Sequence, residues 1–208
     1  MYIFPPSIGT SRYENDPFTI LDRLKRIGLP EQPIAFYGSS SFRLWSSMTE
    51  DLGSLNAVNL GFGGGTILSA LHYMDRLLTP LDPRKVVLYF GENDIASDGL
   101  TGRTAFAHFE DLHARISQAL PGVEVFVLSI KHSPARWIYA EQFELFNQFT
   151  RDWCATRDDT TWIDVGAGFL GENKLPMSKY FLPDSIHLNS AGYGVWATAL
   201  REVPGLLR

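Results

Sequence analysis

The sequence predicts an α/β fold in which a five-stranded parallel sheet is covered by helices on both faces. Five short apolar runs alternate with segments whose apolar residues recur at helical spacing. The runs are nearly continuously apolar, which is typical of parallel strands that are buried on both sides. Five such strands favour a doubly wound, flavodoxin-like sandwich.

The first half of the chain begins with an irregular stretch, residues 1–16, which we expect to form an N-terminal arm. Residues 17–29 carry apolar side chains at helical spacing and predict the first helix. Residues 33–38 and 57–60 are short apolar runs that end at or just before a glycine, and each predicts a buried strand. An amphipathic pattern over residues 68–78 predicts the second helix.

The second half of the chain continues the same alternation. Apolar runs predict strands over 85–90, 123–130 and 160–165, and amphipathic patterns predict helices over 104–120, 140–155 and 190–203. Asn189 is the expected N-cap of the last helix, because its side chain can accept a hydrogen bond from the first helical N–H groups. The 208 residues predict a single domain that is long enough to bury a sizeable core.

Composition argues against several classes of partner. The formal net charge of −5 predicts no nucleic-acid partner and no binding to an anionic membrane. No stretch approaches the roughly 18 apolar residues that span a membrane, and the N-terminal stretch lacks the pattern of a signal peptide. The single cysteine, Cys154, allows no internal disulfide and is expected to be a small buried hydrophobe. These features predict a cytoplasmic location.

Glycines and polar residues follow the predicted strands, at the edge of the sheet where ligands bind in open α/β folds. They occur in residues 38–41 (GSSS), 61–66 (GFGGGT) and 91–95 (GENDI), and Asp184 and His187 precede the last helix. A serine nucleophile needs a general base, the base needs a carboxylate that fixes its tautomer, and the tetrahedral intermediate needs N–H donors for its oxyanion. The chain offers each of these groups.

Each feature also has an ordinary structural interpretation. The serines can cap a helix, GFGGGT can be a turn or a phosphate cradle, and GEND can be a turn. A metal site at the Asp-x-x-His pair lacks further ligands in the sequence. His72, His108 and His113 lie on predicted helices and are expected at the surface or the rim, and His132 has no carboxylate near it in sequence to act with it as a base. On the residues alone, a non-catalytic module and a flavodoxin-like nucleotide or phosphate binder stay open as alternatives.

The combination of these features resembles the SGNH hydrolases, also called GDSL-type esterases and lipases. The matching stretches are FYGSSSFRLW, NLGFGGGT, LYFGENDI and PDSIHLNSAGYGVW, and they extend from about residue 33 to about residue 200. The resemblance implies a flavodoxin-like three-layer α/β/α sandwich. It also implies a serine esterase that works by acyl transfer and needs no metal or organic cofactor.

The resemblance further implies a role for one or two residues in each stretch. It implies that Ser40 is the nucleophile, that His187 is the general base, and that Asp184 orients this base. The implied oxyanion hole consists of the backbone N–H groups of Ser40 and Gly64 and the side-chain amide of Asn93.

Beside the nucleophile, the chain departs from the usual pattern of the family. Ser39 stands where the family usually has aspartate, which changes the hydrogen bonds next to the nucleophile, and Ser41 is expected to cap the following helix. The triple glycine leaves Gly63 and Gly65 as alternative oxyanion donors.

The expected substrate is a small-molecule ester of short or medium acyl chain, with an acetylated carbohydrate as one candidate, and residues 166–184 are expected to form one wall of its pocket. The oligomeric state stays open.

Overall fold

The computed structural model describes residues 15–208 and contains the predicted sheet of five parallel strands. These are β1 (Ile34–Gly38), β2 (Ala57–Asn59), β3 (Lys85–Tyr89), β4 (Glu124–Leu128) and β5 (Thr160–Ile163). All neighbouring pairs are parallel, in the order β2-β1-β3-β4-β5. The α/β prediction is confirmed, and the predicted strand ends agree with the structure to within two residues.

Eight α-helices occur in the described part of the chain. They are α1 (Asn15–Ile27), α2 (Ser40–Arg43), α3 (Met48–Leu52), α4 (Ile67–Leu77), α5 (Glu92–Ala96), α6 (Gly102–Ala119), α7 (Ala140–Cys154) and α8 (Ser190–Arg201). The periodicity predicts α1, α4, α6, α7 and α8 but misses α2, α3 and α5, because a helix of four or five residues is too short to show a 3.6-residue period. Helix α1 begins inside the stretch that was expected to be irregular, and the rest of that stretch, residues 1–14, lies outside the described residues. None of the described helices is long and apolar enough to cross a membrane.

The order of the strands explains how the helices form two layers. The chain passes from β1 to β2, crosses back over β1 to β3, and then continues outward to β4 and β5. Because parallel connections are right-handed, this reversal puts α2 and α3 on one face and α4, α6 and α7 on the other. Accordingly α4 packs on α6 and α6 on α7, whereas α3 packs on α8. The predicted three-layer α/β/α sandwich is therefore confirmed, and its topological switch point lies between β1 and β3.

Two core residues test the burial predictions. Cys154 is buried as predicted, and burial raises the pKa of its thiol to about 12. His113 was expected at the surface or the rim but is buried, with its Nε2 2.7 Å from Thr160 Oγ1. Burial lowers the pKa of His113, and the hydroxyl partner allows the neutral ring to lie in the core against Trp153.

Candidate active site

Ser40 is the first residue of helix α2, which follows β1 directly at the switch point. The turn between them requires a glycine, because a Cβ on Gly38 would lie 2.5 Å from the ring of Phe42. The N-cap residue of α2 is Ser39, whose side chain makes no capping hydrogen bond. The prediction that Ser41 caps the helix is therefore wrong: α2 begins one residue earlier, so Ser41 is a buried residue of its first turn.

Aromatic packing holds α2 against α8. The ring of Tyr193 stacks on Trp45 with 5.1 Å between the centroids, and its hydroxyl donates to the carbonyl of Ser41 at 2.9 Å. Trp196 packs edge-on against Phe42. All four aromatic side chains are buried. The position of α2 relative to the start of α8 is thus set by close packing in the core.

Ser40, His187 and Asp184 form a line in which His187 is within hydrogen-bond distance of both other side chains. Nε2 of His187 is 2.9 Å from Ser40 Oγ, and its Nδ1 is 2.6 Å from Asp184 Oδ2. The other carboxylate oxygen, Oδ1, accepts the backbone N–H groups of Ile186 and His187 at 2.9 and 3.0 Å. The side chains of Asp184 and His187 are 45% and 23% exposed, so the line is accessible from solvent. This geometry can transfer a proton from a serine hydroxyl to an imidazole.

The carboxyl group of Asp184 is ionised in this arrangement. Its partial burial raises the pKa, but the hydrogen bonds from the His187 ring and from the backbone N–H groups of His187 and Ile186 outweigh this effect and bring the pKa to about 2. An ionised carboxylate facing Nδ1 favours the tautomer with hydrogen on Nδ1. That tautomer leaves Nε2 as an acceptor towards Ser40.

The glycine-rich loop of residues 61–66 packs against α2. The N–H of Phe62 donates to the carbonyl of Gly38 at 3.1 Å, and a Cβ on Gly61 would lie 2.3 Å from the backbone nitrogen of Arg43. Gly64 has φ of 64°, in the left-handed region that favours glycine.

Two backbone N–H groups in and next to this loop concern the predicted oxyanion hole. Among residues 15–208, the N–H groups of Ser40 and Gly64 donate to no protein acceptor. The side chain of Asn93, at the second position of α5, donates from Nδ2 to the carbonyl of Gly65 at 3.0 Å. The GENDI stretch therefore forms a short helix beside the glycine-rich loop.

Asp94 joins this loop to α5. It is buried, and its two carboxylate oxygens accept the N–H groups of Ile67 at 3.0 Å and of Gly91 at 3.1 Å. Ile67 is the first residue of α4, so a carboxylate of the chain itself occupies the N-terminus of the helix that follows the glycines. A phosphate cradle would need that N-terminus for its ligand, so this contact argues against the nucleotide interpretation of GFGGGT.

A cluster of charged residues that the sequence pattern did not predict surrounds Glu92. This buried carboxylate pairs with Lys131 at 2.8 Å and with Arg136 at 3.0 Å. Burial raises the pKa of Glu92, but the charges of Lys131 and Arg136 outweigh it and hold the pKa below its usual value. The proximity of Glu92 and Lys131 could have been predicted from the sequence, because each lies three residues after the end of one of two neighbouring strands, β3 and β4.

The remaining predicted residues lie outside this group or support it. Nε2 of His132 is 3.3 Å from the carbonyl of Ala140 and is not part of the line at His187. Asn189 caps α8 as predicted, because its Oδ1 accepts the N–H of Gly192 at 3.1 Å. In the described part of the chain, no group of three or more His, Cys, Asp or Glu residues is placed to hold a metal ion.

The chain matches a known protein family over most of its length. Residues 34–195 match the model of the GDSL-like Lipase/Acylhydrolase family, which covers most of the chain. The chain belongs to this family and is a hydrolase of ester bonds. The resemblance seen in the sequence is thereby confirmed.

Solved structures from bacteria share the fold. A protein provisionally described as a platelet activating factor from Streptococcus pneumonia is 22% identical with a TM-score of 0.78, and the match covers 92% of each chain. The lipase/acylhydrolase from Enterococcus faecalis is 18% identical, with a TM-score of 0.68 and coverage of 85% of this chain and 97% of that one. A catalytic mutant of an acetylxylan esterase from Geobacillus stearothermophilus is 14% identical, with a TM-score of 0.69 and coverage of 87% and 98%. No curated protein matches the sequence.

Proposed function

We propose that this chain is a serine esterase that cleaves small-molecule carboxylic esters of short to medium acyl chain through an acyl-enzyme on Ser40. The observation that carries the proposal is the line of contacts from Ser40 Oγ through the His187 ring to the Asp184 carboxylate, with distances of 2.9 and 2.6 Å. Family membership supports ester hydrolysis in general, and this line supports the particular residues.

In the proposed first half-reaction, Ser40 Oγ attacks the ester carbonyl while Nε2 of His187 takes the hydroxyl proton. The tetrahedral intermediate carries its negative charge on the former carbonyl oxygen. Backbone N–H groups of Ser40 and Gly64 and Nδ2 of Asn93 donate to that oxyanion. His187 then gives its proton to the leaving alcohol, and the acyl group stays on Ser40.

In the second half-reaction a water molecule replaces the alcohol. His187 takes a proton from the water as it attacks the acyl-enzyme, and the same donors stabilise the second oxyanion. Collapse of the intermediate returns the proton from His187 to Ser40 Oγ and releases the carboxylic acid. Asp184 keeps its charge throughout and stabilises the imidazolium, which agrees with its pKa of about 2.

Acetylated carbohydrates are the substrate candidate that a structural neighbour supports. A structural neighbour with the same fold is an acetylxylan esterase, and residues 166–184, proposed as one wall of the pocket, end at the proposed acid, Asp184. The composition, with a single cysteine, favours a cytoplasmic location.

The proposal is tested by hydrolysis of p-nitrophenyl acetate, butyrate and octanoate and of an acetylated xylooligosaccharide. The wild type is compared with Ser40→Ala and with Ser46→Ala, an exposed serine on the loop after α2. We expect Ser40→Ala to lower kcat by several orders of magnitude, as loss of a triad nucleophile does, and Ser46→Ala to match the wild type. Equal rates for the wild type and Ser40→Ala on every ester would refute the proposal.

Asn93→Ala tests the oxyanion donor separately. Loss of one such donor lowers kcat by roughly 10²–10³-fold, and we expect a loss of that size with little change in KM. Unchanged activity would remove Asn93 from the oxyanion hole while leaving Ser40 as the nucleophile.

A further inference from the structure

The side-chain amide of Asn93 can be useful in only one of its two orientations. Its oxygen only accepts hydrogen bonds, whereas its nitrogen donates two. A group that stabilises an oxyanion must present the nitrogen, because a carbonyl oxygen in its place would repel the negative charge. The orientation of this amide therefore decides whether Asn93 can act in the proposed reaction.

Two contacts of opposite kind fix that orientation. Nδ2 of Asn93 donates to the carbonyl of Gly65 at 3.0 Å, and its Oδ1 accepts from Nη2 of Arg136 at 3.0 Å. Rotating the amide by a half-turn would put two donors together at Arg136 and two acceptors together at Gly65. Arginine has no acceptor atom and keeps its charge, so it pairs only with the oxygen end of the amide. The observed orientation leaves the second hydrogen of Nδ2 for a ligand.

Arg136 is itself held by a buried carboxylate. Its Nη1 donates to Glu92 Oε1 at 3.0 Å, so the two ends of one planar guanidinium contact consecutive residues of α5. Glu92 also accepts from Nζ of Lys131 at 2.8 Å and from the hydroxyl of Tyr89 at 2.7 Å. Because Glu92 and Lys131 are buried and Arg136 is only 16% exposed, this cluster has little freedom to move. A rigid fork anchored in this way presents Nη2 to the Asn93 oxygen in a fixed direction.

The segment that carries Arg136 also contacts the other side of the site. Arg136 lies in the short 3₁₀ helix Pro134–Tyr139, where its φ of −112° and ψ of 15° depart from helical values. The N–H of Ala135, the preceding residue, donates to the carbonyl of Ser185 at 3.2 Å. Ser185 belongs to the turn that leads into His187. One short segment therefore contacts both the proposed general base region and the proposed oxyanion donor.

We propose that Arg136 is a positioning residue that selects the amide orientation of Asn93 and keeps its Nδ2 available to the oxyanion. This inference rests on the proposed function, because Arg136 acts only through Asn93. Loss of Arg136 should slow the steps that build an oxyanion and leave substrate binding nearly unchanged. If Arg136 has a purely structural role in the Glu92 cluster, its loss should lower the unfolding temperature, and any loss of kcat should be the same with and without Asn93.

A double-mutant cycle separates the two roles. Arg136→Met is made in the wild type and in Asn93→Ala, and kcat and KM are measured with p-nitrophenyl acetate. In the wild type we expect kcat to fall roughly 10- to 100-fold, because a misplaced donor loses part of the roughly 10²–10³-fold effect of a missing one. In Asn93→Ala the same change should lower kcat by less than about twofold, since the amide that Arg136 positions is gone.

Arg136→Lys supplies a second variant in case Arg136→Met does not fold. Lysine keeps a positive charge near Glu92 but lacks the planar fork that reaches two residues. We expect the unfolding temperature to recover towards the wild type while kcat stays reduced, and the same cycle with Asn93→Ala applies. Arg115→Met is the matched control, because Arg115 is a partly exposed arginine of α6 that pairs with Asp75 at 3.1 Å, and its loss should leave kcat unchanged.

Three results would overturn the inference. These are an equal loss of kcat in both backgrounds, no loss on replacing Arg136 in the wild type, and an Asn93→Ala variant with unchanged kcat. Failure of the proposed function has a different signature, because Ser40→Ala would then keep the wild-type rate. A cycle that shows coupling, together with an inactive Ser40→Ala, supports both.

Discussion

Replacing Asp184 with asparagine tests whether this carboxylate sets the tautomer of His187. In the wild type Asp184 Oδ2 lies 2.6 Å from Nδ1, while Oδ1 accepts two backbone N–H groups. An asparagine that keeps those two backbone bonds through Oδ1 must present its NH₂ group to Nδ1. The ring then carries its hydrogen on Nε2, where it can no longer accept the proton of Ser40.

The size of the effect follows from this inversion. The equivalent change in a serine protease triad lowers kcat about 10⁴-fold, which corresponds to about 5.4 kcal/mol at 1.36 kcal/mol per tenfold. We expect a loss of that order here, because the two backbone contacts hold the asparagine in the unfavourable orientation. Stability at neutral pH should change little, since the Asp184 side chain is 45% exposed and its interactions are screened by solvent.

The same variant should also change how stability depends on pH. The folded pKa of Asp184, about 2, lies below the value of about 3.9 for an unfolded aspartate. Its ionised form therefore contributes a stability that solvent screening keeps small; this contribution is fully present above about pH 4 and is lost as the pH falls towards 2. Between pH 5 and pH 2.5 the unfolding temperature of Asp184→Asn should fall less than that of the wild type.

The assay compares kcat for p-nitrophenyl acetate at pH 7.5 with thermal unfolding of the same preparations. Asp158→Asn is the control, because Asp158 is an exposed aspartate in the loop between α7 and β5 and should not affect either measurement. A folded Asp184→Asn variant whose kcat stays within tenfold of the wild type would refute the reasoning, because the tautomer would then not depend on Asp184.

Two further predictions concern the packing of the glycine-rich loop and the burial of Cys154. Gly61→Ala would put a Cβ 2.3 Å from the backbone nitrogen of Arg43, so we expect the free energy of unfolding in urea to fall by about 1–3 kcal/mol. The control is Gly194→Ala in α8, whose Cβ meets nothing within 4 Å and which should raise the free energy of unfolding by up to about 1 kcal/mol. Equal effects of the two substitutions would contradict the packing argument. Cys154, whose pKa is raised to about 12 by burial, should react with a thiol reagent at pH 8 only after unfolding, and rapid reaction of the native protein would show that it is accessible.

The sheet could be predicted from the sequence because its pattern follows directly from burial. Every residue of β1 and β3 is buried, and, apart from Lys85 at the start of β3, both strands are apolar, because strands covered on both faces form nearly continuous hydrophobic runs. The one-turn helices α2 and α5 could not be predicted, because they have no period of their own and are held by tertiary contacts such as the hydrogen bond from the N–H of Ile67 to Asp94 Oδ1. Ser41 shows the same limit at one residue, since three successive serines give no sign of where α2 begins.

The shared edge of Ser40 and the Asp184–His187 pair could be anticipated because parallel strands end on one side of the sheet. Their distances depend on features that the sequence pattern does not contain. The stacking of Tyr193 on Trp45 sets how α8 lies against α2, and such packing pairs residues that are far apart in sequence. Their catalytic roles stay a prediction that the Ser40 and Asp184 variants test.

The charged cluster at Glu92 is harder to anticipate, because a lone charge in a sequence ordinarily indicates an exposed side chain. Its position is also what argues for a role beyond stability. A buried ion pair contributes little net stability, since desolvation offsets most of the attraction, and apolar residues of similar volume often serve the fold as well. An apolar replacement for Arg136 could fill its space but could not donate to the oxygen of Asn93. We therefore infer that the buried carboxylate of Glu92 serves to hold the guanidinium of Arg136 in the direction of Asn93 Oδ1.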